Sequence, residues 1–277
     1  MLILGNFYRK INEYFKTSDN VELNFHFYGT GKPLILITGF GGYQEVWTKQ
    51  ISYLRKMGYS VLTYDHRNMG KSQRTAKGQS LERLTKDLIE LLSFLKITRA
   101  TFIGHSMGGS IIYNLLKIKP QIIDIAVIID QSPYMLNTKS WHYGFMNFTL
   151  ENYQDLTLLS PQVHETLHGI DSSVMTELLP AKIAYPFDRK ANLDLLQEHV
   201  QLDWRKIIKR SSQKMIIFAA EKSPYYPFQF ANWMAEQNPQ ITAAIVPNCG
   251  HDITAEIPQQ FNQLLRHFLL LNHYLPQ

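Results

Sequence analysis

The chain has 277 residues, 45% hydrophobic and 18% charged, which suits a globular enzyme with one large core or a core carrying an insertion. That composition excludes the disordered and fibrous classes. Net charge is +5, from 28 Lys+Arg against 23 Asp+Glu spread without a dense basic block, so no nucleic-acid partner is expected.

The chain opens with Leu2-Ile3-Leu4 before Gly5 and Asn6, too short for the apolar region of a signal peptide. No later run approaches the ~18 apolar residues of a spanning helix. A soluble, cytoplasmic protein without stable membrane insertion is therefore expected. Residues 21–28 alternate as a strand, and Gly29-Thr30-Gly31 turns them toward a fully apolar strand at 34–38. Gly39-Phe40-Gly41-Gly42 follows, then a helix over 45–56 and a strand over 60–64 that ends at Asp65. Residues 79–95 form an amphipathic helix, with Leu81, Leu84, Leu88, Leu91, Leu92 and Leu95 at helical spacing.

A short β-prone run at 100–103 leads into Gly104-His105-Ser106-Met107-Gly108, and a helix over 110–119 closes at Pro120. A serine with glycine two residues to either side, on a sharp strand-to-helix turn, is a nucleophile elbow. The glycines leave room for the strained turn, which pushes the hydroxyl out of the sheet toward a base. The bland alternative is a serine that only caps the following helix; the paired glycines favour the nucleophile.

Residues 125–129 form another buried strand, ending at Asp130. From 133 to about 210 no clear strand appears. That stretch has helical patches, an aromatic opening (Trp141, Tyr143, Phe145, Phe148) and interruptions at Pro161, Pro180 and Pro186. The alternation resumes with a strand at 214–219, a helix near 227–237, a strand at 241–246 and a helix from 257 to about 271. Strands alternating with helices predict an α/β fold: a mostly parallel open sheet flanked by helices. The domain reading is a core of 1–132 and 211–277 with a helical cap or lid insertion at 133–210, over the strand C-termini where such sheets bind ligands.

Four pieces together resemble the α/β-hydrolase fold family, and the resemblance covers nearly the whole chain. They are the strand and Gly-rich loop at 34–42, Asp65-His66-Arg67-Asn68-Met69-Gly70-Lys71-Ser72, the Ser106 elbow, and Asn248-Cys249-Gly250-His251 before the last helix. The chain is most similar to single-domain serine esterases and lipases with a helical lid. Haloalkane dehalogenases and epoxide hydrolases carry aspartate at the elbow, so Ser106 argues against both.

The resemblance implies roles for particular residues. Ser106 is the nucleophile and needs a base within hydrogen-bond reach; His251, in the loop after the last strand, is that base. His105, beside the nucleophile, is expected to point elsewhere. The third member orients the imidazole and stabilises its protonated form. The family's usual site for it falls in Ala220-Glu221-Lys222-Ser223, where serine replaces the expected aspartate. Asp130, at a strand end that some members use for their acid, is the favoured candidate, and Glu221 is the alternative. The oxyanion hole is expected from the backbone N–H groups of Phe40 and Met107, leaving both side chains free to line the acyl pocket. Thr38-Gly39 stands where the family commonly has histidine-glycine. Asp65 and Arg67 are read as a structural turn.

Cys249, the one cysteine, is read as buried and inert, and it excludes an internal disulfide. Residues 39–42 lack the third glycine of a dinucleotide fingerprint, because Gln44 occupies its place, and no metal-ligand spacing occurs. No cofactor and no metal are expected. The expected activity is carboxylic ester hydrolysis of small to medium, hydrophobic small molecules through an acyl-enzyme. Acyl transfer, peracid formation of the cofactor-free haloperoxidase type, and carbon–carbon bond hydrolysis on the same residues remain open. So does a non-catalytic ligand-binding or signalling role.

Overall fold

Eight strands form one sheet in the computed structural model, which describes residues 10–276; the opening Leu2-Ile3-Leu4 run lies outside them. The strands are β1 (Lys10–Lys16), β2 (Glu22–Tyr28), β3 (Pro33–Ile37), β4 (Ser60–Tyr64), β5 (Ala100–His105), β6 (Ile123–Ile129), β7 (Lys214–Ala220) and β8 (Ile241–Val246). Their spatial order is β1-β2-β4-β3-β5-β6-β7-β8. β2 runs antiparallel to β1 and β4, and every other pairing is parallel.

The parallel strands read as nearly continuous apolar runs because both of their faces are covered. Alternate residues then belong to opposite layers. Ile35 and Ile37 of β3 and Ile217 of β7 face one cluster, which holds Leu84 and Leu88 of α2 (Leu81–Phe94) and Ile111 and Leu115 of α3 (Met107–Ile118). Leu34, Leu36, Ile216 and Phe218 face the other, formed with Leu54 of α1 (Thr48–Lys56). Among the described residues, no helix is long and apolar enough to cross a membrane.

Between β6 and β7 the chain forms α4 (Tyr153–Leu158), α5 (Ser172–Ala184), α6 (Leu193–Gln201) and α7 (Arg205–Arg210). Because β6 and β7 are parallel neighbours, this excursion leaves the sheet at the C-terminal end of β6 and crosses over to re-enter at the opposite edge, at the start of β7. α8 (Gln229–Gln237), α9 (Ile253–Glu256) and α10 (Pro258–Leu271) complete the chain. Phe261 and Leu265 of α10 join Leu54 in the second cluster.

Several sequence expectations change in detail. β1 was not anticipated, because charged and polar residues interrupt its apolar positions and it pairs only at the sheet edge. α3 starts at Met107 instead of 110, through two glycines that are poor helix formers. Pro180 lies inside α5 instead of interrupting it. The last helix divides at Ile257, whose φ of −128° and ψ of 55° are non-helical, as the following proline requires.

The turn after β4 is held by charge. Arg67, 1% exposed, reaches both Asp87 oxygens at 2.7 Å and both Asp19 oxygens at 2.9 and 3.0 Å. Asp65 accepts from the backbone N–H groups of Gln44 and Lys71 at 3.0 and 2.9 Å. Burial pushes its carboxyl up to about 6. These bonds tie the β4 turn to the segment that follows β3.

Candidate active site

Ser106 sits between β5 and α3 with φ 54° and ψ −126°, a conformation that L-residues rarely adopt. Its N–H donates to Ile129 O at 2.9 Å and its carbonyl accepts from Gly109 N at 2.7 Å, fixing the turn from both sides. The flanking glycines have a steric cause. A Cβ on Gly104 would lie 2.3 Å from Gly108 O, and one on Gly108 would lie 2.4 Å from Ile37 O. The elbow closes only because both side chains are missing.

Asp130 follows β6, beside the elbow, and also has positive φ at 48°. Its fully buried carboxylate meets three donors. Oδ1 accepts from Ala220 N at 3.0 Å, and Oδ2 accepts from Ser223 Oγ at 2.6 Å. Oδ2 is also 2.7 Å from His251 Nδ1.

His251 lies in the turn after β8, entered through Asn248 at φ 54°. Gly250 N donates to Glu256 Oε2 at 2.9 Å, and a Cβ on Gly250 would lie 2.4 Å from Glu165 O, so the turn is packed on the excursion. Burial opposes charge on the His251 imidazole, yet the hydrogen bond and charge of Asp130 outweigh it and raise its proton affinity above the usual histidine range. With Nδ1 engaged by Asp130, Nε2 is the ring atom left to exchange a proton with a reacting group.

Ser106 and His251 line one cavity of about 680 Å³ together with Gly39, Phe40, Phe187 and Tyr225. Gly39 presses on the serine: a Cβ there would lie 2.9 Å from Ser106 Cβ and 3.3 Å from its Oγ. Met107 opens α3, so its N–H is one of the first four in the helix without an intrahelical acceptor. Phe40 lines the cavity, but the Met107 side chain is fully buried in the core beneath α3 instead of reaching the pocket. Thr38, which stands where the family commonly has histidine, offers its carbonyl to His66 Nε2 at 3.1 Å. Burial holds that imidazole down at about 4, so it is neutral and supports the loop as a hydrogen-bond donor.

Glu221 is not brought to the imidazole. Its side chain is 36% exposed, accepts from Asn248 N at 3.1 Å and lies 3.6 Å from Lys222 Nζ. The Cys249 thiol is buried, 3.5 Å from Val246 O, and burial pushes it up to about 12. That keeps it protonated and unreactive.

His105 departs from expectation. Its ring packs 4.6 Å from that of His251, its Nε2 donates to His251 O at 3.1 Å, and it lines the cavity. Burial first, then the neighbouring His251, holds it down at about 3, so it remains neutral. Asp252 also lines the cavity, 3.6 Å from His105 Nε2, and burial pushes its carboxyl up to about 6. Sequence reasoning passed over Asp252 and Ser223. For the first, the adjacent His251-Asp252 pair was the available signal; for the second, a hydroxyl at the position lacking its aspartate.

The aromatic opening of the excursion is only partly at the cavity. Phe145 and Phe148 line it, and Phe145 stacks 4.6 Å from Tyr225, which packs edge-on to His251 at 4.8 Å. Trp141 is buried edge-to-face on Trp233 of α8 instead.

Comparison with known proteins bears on the family and the fold. The family described as the alpha/beta hydrolase fold matches residues 32–256. A protein named putative non-heme haloperoxidase, from Mycobacterium phage D29, is 30% identical over 123 residues, 43% of this chain and 44% of the relative. The match therefore spans less than half of that relative's length. Esterase YbfF of Escherichia coli is 25% identical over 266 residues, 94% of this chain and 99% of the relative. Among solved structures, the esterase EaEST from Exiguobacterium antarcticum superposes with a TM-score of 0.82 at 18% identity, covering 94% of this chain and 99% of that one. At that identity the likeness concerns the fold.

Proposed function

Since this chain belongs to the alpha/beta hydrolase fold family, we propose that it is a serine hydrolase that cleaves carboxylic esters of small to medium, hydrophobic molecules through an acyl-enzyme. The observation that carries this reading is the 2.7 Å contact between Asp130 Oδ2 and His251 Nδ1, on a cavity that Ser106 also lines.

In this reading Ser106 Oγ attacks the ester carbonyl while His251 Nε2 takes its proton. Asp130 holds the imidazole in one tautomer and stabilises the cation that forms. Negative charge gathers on the carbonyl oxygen, facing the backbone N–H groups of Phe40 and Met107. One such donor is worth about 3 kcal/mol in the transition state. Collapse of the tetrahedral intermediate breaks the bond to the alcohol, which leaves with the proton held by His251. Water then repeats the sequence on the acyl-serine, releasing the acid and restoring Ser106. All groups come from the chain, so the chemistry needs no cofactor or metal. Residues 133–210 act as the cap, supplying Phe145, Phe148 and Phe187 to the substrate-facing wall.

A fluorophosphonate probe tests this. The expected result is stoichiometric labelling of Ser106, absent in Ser106→Ala, with steady turnover of 4-nitrophenyl butyrate. No labelling and no turnover overturns the reading in favour of a ligand-binding role. The 30% identity to a protein named as a haloperoxidase favours one second reading, peracid formation on the same acyl-enzyme. Peracid as the main product when peroxide is supplied as acceptor would select it.

A further inference from the structure

Glu256, the last residue of α9 and 7% exposed, gathers three backbone N–H groups on one carboxylate. Oε2 accepts from Gly250 N at 2.9 Å, one residue before His251. Oε1 accepts from Leu167 N at 2.9 Å and His168 N at 2.8 Å, both in the excursion between β6 and β7. A carboxylate offers acceptor sites on both oxygens and donates nothing, so it can serve two stretches of chain at once. Enclosed, it needs those donors to offset the loss of water.

The same two stretches meet at further points. A Cβ on Gly250 would lie 2.4 Å from Glu165 O and 2.9 Å from Thr166 Cα, so backbone packs directly on backbone. Asp171 N donates to Ala255 O at 2.8 Å, and His168 Nε2 is 3.2 Å from Asn248 O. The Tyr225 hydroxyl donates to Glu165 Oε1 over 2.5 Å, and its ring packs edge-on to His251 at 4.8 Å. Residues 165–171 therefore hold the His251 turn from outside the sheet, with Glu256 bonded to both partners.

We infer that Glu256 is a positioning residue: by bonding the excursion to the His251 turn it keeps the imidazole aimed at Ser106, and it makes that aim depend on the excursion being seated. A displacement of about 1 Å, caused far from the reacting atoms, can cost about 10²-fold in rate. This rests on the serine-hydrolase reading and adds to it a residue that touches no reacting atom.

Two variants separate reach from charge. Glu256→Gln keeps the length, but its amide nitrogen meets N–H donors on one side, so one attachment is lost. Glu256→Asp keeps the charge and shortens the reach by one methylene. The readout is kcat/KM for ethyl butyrate and for 4-nitrophenyl butyrate. The ethyl alcohol leaves only when His251 protonates it, whereas nitrophenolate leaves largely unaided, so a misaimed imidazole penalises the ethyl ester more. A variant that is merely less folded loses both rates equally. The expected result in both variants is a loss of about tenfold to a hundredfold on the ethyl ester, and a loss at least about threefold smaller on the nitrophenyl ester. Equal losses, or none in Glu256→Gln, overturn the inference. So does full activity in Glu256→Asp, which would trace the effect to charge. Should the Glu256 variants fail to fold, His168→Pro removes a donor to Glu256 from an exposed position, and His168→Ala controls for the lost ring. His168→Pro should separate the two esters more than His168→Ala does, and no difference overturns the inference. If wild type turns over neither ester, the serine-hydrolase reading fails, and proton NMR still decides the linkage. The ring-proton signals of His251, assigned by their loss in His251→Gln, should shift in whichever of Glu256→Asp and His168→Pro folds; unchanged signals overturn it.

Discussion

Ser223 donates its hydroxyl to Asp130 Oδ2 over 2.6 Å, on the same oxygen that His251 Nδ1 approaches at 2.7 Å. Ser223 occupies the loop position where an aspartate was expected, and the carboxylate comes instead from the neighbouring strand end. In the proposed reading the loop after β7 still serves the imidazole, by donating to the carboxylate that meets it.

Asp130→Asn should lower kcat for 4-nitrophenyl butyrate by about 10⁴, the scale known for loss of the orienting carboxylate in a serine triad. Glu221→Gln, whose carboxylate faces Asn248 and Lys222, should stay within about twofold of wild type, the scale of a surface change of ±0.5 kcal/mol. Steady-state kinetics on the two purified variants decides between them, and the opposite ranking would make Glu221 the acid.

Ser223→Ala removes one of three donors to the Asp130 carboxylate, a charge-assisted bond, and should slow kcat by about threefold to thirtyfold. A sharper check is the double variant Asp130→Asn with Ser223→Asp. It moves the carboxylate back to the other strand's loop and should regain part of the activity lost in Asp130→Asn alone. Ser223→Asp by itself places two carboxylates together and should be slower than wild type at neutral pH. Full activity in Ser223→Asp would remove the proposed support role.

The raised proton affinity of His251 has a kinetic and a thermodynamic sign. As a base it must be neutral, so kcat/KM should rise with pH through an apparent pKa above 6.5. An acid limb centred at or below 6.5 would contradict the Asp130 effect. In stability, a raised folded value means the protonated pair contributes fully below 6.5 and its contribution is lost as pH rises through the folded value. Urea unfolding should therefore show the gap between wild type and Asp130→Asn narrowing from pH 6 to pH 9.

Gly108→Ala should destabilise by about 3 kcal/mol, since its Cβ would sit 2.4 Å from the Ile37 carbonyl, a backbone atom that cannot swing aside. Gly169→Ala is the control. Unlike Gly108 it has positive φ, at +83°, and nothing lies within 4 Å, so it should cost only about 1 kcal/mol. In urea unfolding, a loss at Gly108 no larger than the control's would mean that the closeness of the elbow to β3 does not set the cost.

The elbow and the parallel strands were legible because local rules decide them. Glycines at 104 and 108 and apolar runs at β5 and β6 need no distant partner to be read. β1 was illegible because an edge strand gains its apolar contacts on one face only, and its sequence KINEYFK mixes charge with aromatics. The orientation of His105 and the depth of Met107 escaped for a different reason. Both depend on which way two adjacent side chains leave a turn with φ of 54°, a conformation no periodicity describes.

The excursion that begins beyond Ile129 and returns at Lys214 is anchored at both ends on strands already bonded to each other. Because those strands are parallel, with Ile129 paired to Phe218 and Ile125 to Lys214, its two roots lie at opposite edges of the sheet, about 13 Å apart along the strands. A chain built this way can vary Phe145, Phe148 and Phe187 of the cavity wall while Ser106, His251 and Asp130 keep their footing on loops of the sheet. Selection on what is recognised and selection on what reacts then fall on largely different stretches of one gene.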